Sequence, residues 1–329
     1  MQHISIIFLK CLCGFTLSLT LGLSSCSSAN WRIVSQDSVA DSLDILSILF
    51  IDSNRGMALT PLQFLQTIDG GKTWTAELEH DGTEKTFDSF TFINSYTGFI
   101  VGKHQNGTHS IPMILRTDNG GKDWQESLIN IGQPSTKADL RLNSISFCNA
   151  KSGWAVGTGL ILHTDDSGVT WESQRTGIGK EVFFGISCIS PEQAWAVGQD
   201  GIILHTENGG KTWIRQESGT TVPLLRIRSF GENVWIAGAK GALLHTRGKG
   251  QKWELQQLGI TESLTDISFS NTQGWIVGSD GLILHTNDNG VTWERQNSPT
   301  NNTLISLYIL EGTQIWVGGE KRILLHLTE

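Results

Sequence analysis

The sequence predicts an all-β protein, a seven-bladed β-propeller of four-stranded antiparallel blades with the last blade closed by the N-terminal strand. Three observations carry that expectation. A unit ending in Trp recurs along the chain at about the 40–45-residue period of a propeller blade. Each unit divides into short apolar runs separated by Gly or Asn-Gly, which is hairpin punctuation. No segment sustains a 3.6-residue apolar period, so almost no helix is expected.

The clearest unit reads Gly274-Trp-Ile-Val-Gly278, Gly281-Leu-Ile-Leu-His-Thr286 and Asn287-Asp-Asn-Gly-Val-Thr-Trp293. Its strand a falls at 265–269, b at 274–277 and c at 282–286, and d begins at Trp293. The pattern recurs from Gly153 to Trp171, from Ala194 to Trp213 and from Asn233 to Trp253, with looser copies ending at Trp74 and Trp124. Successive terminal Trp residues are 50, 47, 42, 40 and 40 residues apart. A seventh unit begins at Ser306 and supplies Ile315-Trp-Val-Gly318 and Ile323-Leu-Leu-His326, but the sequence stops at Glu329, before a strand d. Trp31-Arg-Ile-Val-Ser35 matches strand-d segments such as Trp293-Glu-Arg-Gln296 and lies 43 residues before Trp74. The N-terminal segment is therefore expected to complete the seventh blade, hiding edges that would otherwise template aggregation.

Composition narrows the function classes. With 37 Gly, 12 Trp and only 17% charged residues, the chain is an ordered globular body and not a disordered one. A net charge of −8 argues against a nucleic-acid partner. The first 25 residues differ from the rest. Two apolar runs flank Lys10 and lead to Leu23-Ser-Ser-Cys26, which reads as a lipoprotein-type leader cut before an acylated Cys26. Ordinary cleavage near Ala29 and an uncleaved anchor are the alternatives. Residues 26–30 are then a short tether and 31–329 a single propeller domain. Cys148 and Cys188, aligned from the downstream Trp, sit one position out of phase, so they are expected on opposite sheet faces. Buried free thiols are expected there, not a disulfide.

The c–d turn carries Thr67-Ile-Asp-Gly-Gly-Lys-Thr-Trp74, repeated at Thr164–Trp171 and Thr286–Trp293, and resembles the Asp-box or BNR repeat. The box acids and amides are Asp69, Asn119, Asp166, Asn208 and Asp288, and the box aromatics are Trp74, Trp124, Trp171, Trp213 and Trp293. The copy ending at Trp253 is degenerate, with Gly248 at the Asp position. Asp or Asn can accept backbone N–H bonds within such a turn, Gly supplies positive φ, and Trp packs a large face while its N–H finds an acceptor. Five copies around a ring point to structure, since one active site would not need them. His163, His205, His245, His285 and His326 repeat on strand c. They too are read as half-buried structural groups and not as a metal ring; no metal or cofactor is called for.

Taken together, the Gly-Trp-x-Val-Gly and Ile-Leu-His-Thr motifs, the box, the seven blades and the acylated N-terminus resemble the photosystem II stability/assembly factor family over residues 31–329. The resemblance implies a monomeric, non-enzymatic assembly factor that binds a membrane-protein partner, and a location on the periplasmic side of a membrane, or the thylakoid lumen in a cyanobacterium. It also implies an arginine patch for that partner. The candidates here are Arg215, Arg226 and Arg228, with Arg141, Lys180 and Arg175 in neighbouring blades.

Two classes of function are open. A binding scaffold would use the face built by the d–a and b–c connections, which are longest at 75–88, 125–143 and in the b–c insertion 102–112 with Lys103 and His104. Specificity concentrates where a regular ring is interrupted. The alternative is an Asp-box glycoside hydrolase of sialidase type, or a glycan-binding propeller. Sialidase chemistry needs a Tyr nucleophile, an acid/base carboxylate and arginines for the substrate carboxylate. Only Tyr96 and Tyr308 exist, and no Arg triad from separate blades is evident.

Overall fold

Glycine-bounded strands fold the chain into seven sheets, each built on four antiparallel strands, and successive sheets pack face to face as the blades of a propeller. The computed structural model describes residues 30–35, 43–132, 139–177, 181–248 and 250–328, so Cys26 and Lys180 lie outside the described residues. Blade 7 has the expected composite origin. Arg32–Ser35 pairs antiparallel with Leu324–Thr328, which continues through Gln314–Gly319 to the innermost strand Leu304–Leu310. Among the described residues the only helical elements are four three-residue 3-10 turns, one in the b–c turn of each of blades 4 to 7.

Strand b is buried on both faces: every residue after the first is buried in Gln193–Gly198 and Gln273–Gly278, and the first five are in Gly98–Asn106. A blade is thus apolar on both faces, and its core lies between blades. Val156 and Ile161 of blade 3 pack with Ile186, Ala196 and Leu204 of blade 4; Ile45, Phe50 and Leu65 of blade 1 pack with Trp316 and Leu324 of blade 7.

The repeated histidines have a defined place. Each is the cross-strand partner of a buried Trp on strand b: Trp154 with His163, Trp195 with His205, Trp235 with His245, Trp275 with His285 and Trp316 with His326. Ring centroids are 3.7–4.4 Å apart in all five pairs. Burial holds His163, His245 and His326 below the usual imidazole range, which favours the neutral ring.

The box turn is a clip. Thr67 Oγ1 donates to Asp69 Oδ1 at 2.8 Å, the Thr73 N–H to the same oxygen at 2.9 Å, and Thr73 Oγ1 to Oδ2 at 2.6 Å. Asp166 and Asp288 repeat the arrangement. Asn works because its partner adapts. Asn119 Nδ2 donates to an Asp123 carboxylate that stands where other copies have Thr, and Asn208 Nδ2 donates to Thr212 Oγ1. Trp74, Trp124 and Trp171 donate their indole N–H to the glycine carbonyl three residues back. In the degenerate copy Thr246 Oγ1 donates to the Lys252 carbonyl instead.

Two expectations need correction. Cys148 and Cys188 form a disulfide, with Cα atoms 5.4 Å apart. They do lie on opposite faces of their own sheets, but adjacent blades stack so that opposite faces meet. A residue pointing forward from blade 3 therefore meets one pointing back from blade 4. The second correction concerns blade 3, which has five strands. Part of the long 125–143 connection, Leu128–Asn130, runs parallel to the outermost strand Thr170–Ser173 and covers its edge. That part of the connection serves the rim and not the loop face.

Closing a loop of 40 residues' separation should stabilise the ring by about 4 kcal/mol on the chain-entropy account. Cys148→Ser is expected to lower Tm and the denaturant midpoint accordingly, and reductant to do the same to the unsubstituted chain only. Equal stability with and without reductant would refute the bridge.

The box carboxylates make a second prediction. The Thr292 hydroxyl and backbone hydrogen bonds hold Asp288 down, from 3.8 to about 2. A depressed folded pKa contributes stability above the unfolded value that is lost as pH falls through the folded one. The Tm advantage of the unsubstituted chain over Asp288→Asn should be constant near neutral pH and vanish between about pH 4 and about pH 2. Parallel Tm profiles across that window would count against the clip.

Candidate functional site

The d–a and b–c connections meet on one face of the ring, and blade 2 stands out there. Its b–c hairpin, Gly98–Asn106 and His109–Thr117, is the longest of the seven, paired in register from Gly98↔Thr117 to Asn106↔His109. Gly107 turns the tip with φ +62°, a conformation that favours glycine. Beside the hairpin lies a cleft of about 430 Å³ lined by Lys103, Gln105, Thr108, Ser110, Asp139, Arg141 and Thr158.

Arg141 precedes the inner strand of blade 3 and grips Asp88 of blade 2 with two nitrogens, Nε donating to Oδ2 at 2.9 Å and Nη2 to Oδ1. Asp88 occupies a bulge in strand Lys85–Phe92, where the register shifts between Phe87 and Ser89. Burial pushes its carboxyl up, opposed by the Arg141 guanidinium and at longer range by Lys103. The bidentate pair fixes a cation at the wall of the cleft.

A second cationic centre lies at the axis. Arg226 and Arg228 project from the inner strand of blade 5, Leu224–Phe230, toward Asp266 on the inner strand of blade 6. Arg226 Nε is 3.3 Å and Arg228 Nη2 3.5 Å from the same oxygen, Asp266 Oδ1. The carboxylate is 2% exposed and also accepts the backbone N–H of Ile267 and of Leu307, at 3.0 and 3.1 Å. Burial works against the Arg226 charge and Asp266 supports it. Two guanidinium groups share one carboxylate, so the centre retains a positive charge, and the 40%-exposed Arg228 side chain presents it. An anionic group of a partner is the chemistry such a centre accepts.

The candidates read from the sequence thus separate into places. Lys103, His104 and Arg141 gather at the blade 2 hairpin, and Arg226 with Arg228 at the axis. Arg215 is exposed on the outermost strand of blade 4, Ile214–Gln216, and Arg175 is exposed after the outermost strand of blade 3. The structure does not bring these two to either centre. The anionic halves, Asp88 and Asp266, escaped the sequence reading. The signal was present in Asp266, which occupies an inner-strand position where blades 2, 3 and 7 have Ser89, Ser144 and Ser306.

The tyrosines do not make a glycosidase site. Tyr308 lies in the inner strand of blade 7, where burial pushes its phenol up, away from nucleophilic ionisation. Tyr96 is exposed in the a–b turn of blade 2, at the opposite face from the hairpin. Among the described residues no group of three or more His, Cys, Asp or Glu side chains is placed to hold a metal ion.

Asp266→Ala should destabilise the ring by about 3–5 kcal/mol, because it leaves Arg226 buried without a counter-charge. Arg228→Ala, at a half-exposed position, should cost under about 1 kcal/mol. Urea midpoints check both, and equal effects would contradict the shared-carboxylate arrangement.

Comparison with known proteins follows the same lines. The family model described as photosynthesis system II assembly factor YCF48 matches residues 23–138, 81–178, 132–224, 174–259 and 251–329, the whole propeller. The chain is 38% identical over 79 residues to the photosystem II stability/assembly factor HCF136, chloroplastic, of Oryza sativa subsp. japonica, covering 23% of this chain and 16% of that protein. It is 32% identical over 82 residues to the photosystem II assembly lipoprotein Ycf48 of Synechococcus sp. (strain CC9902), covering 25% of this chain and 21% of that protein. The aligned segments thus span about a fifth of these relatives' lengths. A solved structure of YCF48 bound to a D1 peptide superposes with a TM-score of 0.70 at 21% identity, over 91% of this chain and 97% of that one, a likeness that shows the fold. With the family model matched in every blade, the chain belongs to the YCF48 family of photosystem II assembly factors.

Proposed function

We propose that this propeller is a non-catalytic, exported assembly factor that holds a segment of an unassembled membrane-protein partner on the face built by the d–a and b–c connections. In a phototroph that partner is the newly made photosystem II reaction-centre subunit. The observation that carries the reading is the family match over the whole ring, joined to cationic centres on and near that one face: Lys103 and Arg141 at the hairpin, Arg226 and Arg228 at the axis. The relative solved with a D1 peptide supports a peptide as the bound form. An extended acidic or carboxylate-bearing segment fits two fixed guanidinium centres.

Export rests on independent features. The apolar leader ends in a lipobox-like Cys26, the Synechococcus relative is a lipoprotein by name, and a disulfide joins blades 3 and 4, as suits an oxidising compartment. Cys26 is the residue acylated on this reading, and the propeller acts as a monomer.

Replacing 103–111 by a two-residue turn tests the function. The full chain, crosslinked in its native membranes, should recover a membrane protein whose identity mass spectrometry establishes. The hairpin replacement should keep its Tm within a few degrees while losing most of that recovery, and Arg141→Ala should weaken it. Undiminished capture by the replaced chain would overturn the docking face.

A further inference from the structure

The chain has nine histidines. Five are the strand-c rings set against buried Trp, and His3 lies in the leader, outside the described residues. The other three, His80, His104 and His109, have no counterpart in the repeat. The fold brings all three to the blade 2 hairpin.

His104 and His109 lie on its two strands. His104 is opposite Ile111 and His109 opposite Asn106, so both take the same face of the sheet. Lys85 is opposite His104 on its other side, and Phe87, two residues on, packs in the core between blades 1 and 2. That face therefore looks toward blade 1. There the d–a connection carries His80, whose backbone N–H donates to the Leu62 carbonyl at 2.9 Å and whose ring meets Phe87 edge-on at 5.3 Å. All three imidazoles are half-buried, so protons reach them from water.

The fixed charges around them carry the wrong sign for an acidic ligand at neutral pH. Asp81 and Glu84 face His80. Asp139 lies 4.0 Å from His109 Nδ1 and accepts the Ser110 N–H. Glu126 accepts from Lys85, and Asp88 from Arg141. Against these five carboxylates stand three cations among the described residues, Lys85, Lys103 and Arg141. Three imidazolium charges turn that negative surplus into a positive one. An imidazole ordinarily gains its charge as pH falls through about 6.5. Burial, and after it the Lys85 ammonium, hold His80 below its usual range, while Asp81 and Glu84 pull it up.

We propose that the hairpin half of the docking face is acid-gated: protonation of His80, His104 and His109 inverts its net charge, so that it grips an acidic partner segment in a mildly acidic compartment and weakens its hold near neutral pH. This gate rests on the docking face proposed above. The axial arginines stay charged throughout this range, so the hairpin adds acid dependence to a contact that the axis supports at either pH.

The test uses the full chain in detergent and a rhodamine-labelled octa-aspartate peptide, whose carboxylates stay ionised above about pH 5. Anisotropy titrations in about 0.1 M salt, near pH 7.5 and near pH 5.5, give a ratio of affinities. A unit charge about 8 Å from another changes affinity roughly twofold under such screening. Three should therefore raise it roughly eightfold at the lower pH. The triple variant His80→Gln, His104→Gln, His109→Gln should bring the ratio below about twofold. The double variant His104→Gln, His109→Gln leaves His80 packed on Phe87 and should remove more than half of the rise, which keeps the test decisive if the Tm shows the triple variant unfolded. Arg228→Ala should lower affinity at both pH values and leave the ratio. A rise that survives the histidine substitutions, or that Arg228→Ala abolishes, would overturn the gate. Equal binding at the two pH values refutes the gate alone, whereas no binding at either refutes the docking of an acidic segment and the gate with it.

Discussion

A sheet that is apolar on both faces needs a neighbour on each side, and in this protein every blade is such a sheet. Strand b of blade 4, Gln193–Gly198, is buried toward blade 3 through Ala194 and Ala196 and toward blade 5 through Trp195 and Val197. An open row of blades would leave two such faces in water, which the loss of apolar burial disfavours. The ring removes both, and it closes because Arg32–Ser35 adds to a hairpin more than 280 residues downstream. Trp31 packs edge-on against Trp275 of blade 6 at 5.5 Å, so the closing strand also seals the next inter-blade core.

Within a blade the strands are short, and polar turns hold them to length. The box clip uses a carboxylate that accepts three hydrogen bonds from its own turn, and the same turn is bonded to the a–b turn beside it. The exchange of Asp for Asn at 119 is matched by Asp123 in place of Thr, so donors and acceptors swap without loss. The His–Trp pairs inside the blades give each large buried strand-b Trp a ring neighbour, stacked in four of the five and tilted at Trp154–His163.

Because turns and stacks absorb the repeated Trp, His, Asp and Gly, recognition is left to residues that break the repeat. Those are the extended hairpin of blade 2, with Arg141 held against it by Asp88, and the arginine pair at the axis held by Asp266. In both places a buried or half-buried carboxylate positions the cation. Neither acid is free to bind a ligand; each orients a guanidinium and lowers its conformational freedom.

What the sequence determined by itself is whatever repeats or is local. Blade number, strand order, the composite seventh blade, the box turn and the near absence of helix are set by a period near 40 residues, by alternation along strands and by Gly in turns, all of which act within one blade. What only the tertiary structure decided lies between blades. The Cys148–Cys188 bridge, the Arg141–Asp88 and Arg226–Arg228–Asp266 centres, and the fifth strand at Leu128–Asn130 join residues about 40 positions apart or more. Phase along one strand tells which face a side chain takes, but not that opposite faces of successive blades meet. That stacking made partners of two cysteines whose alternation alone had set them apart.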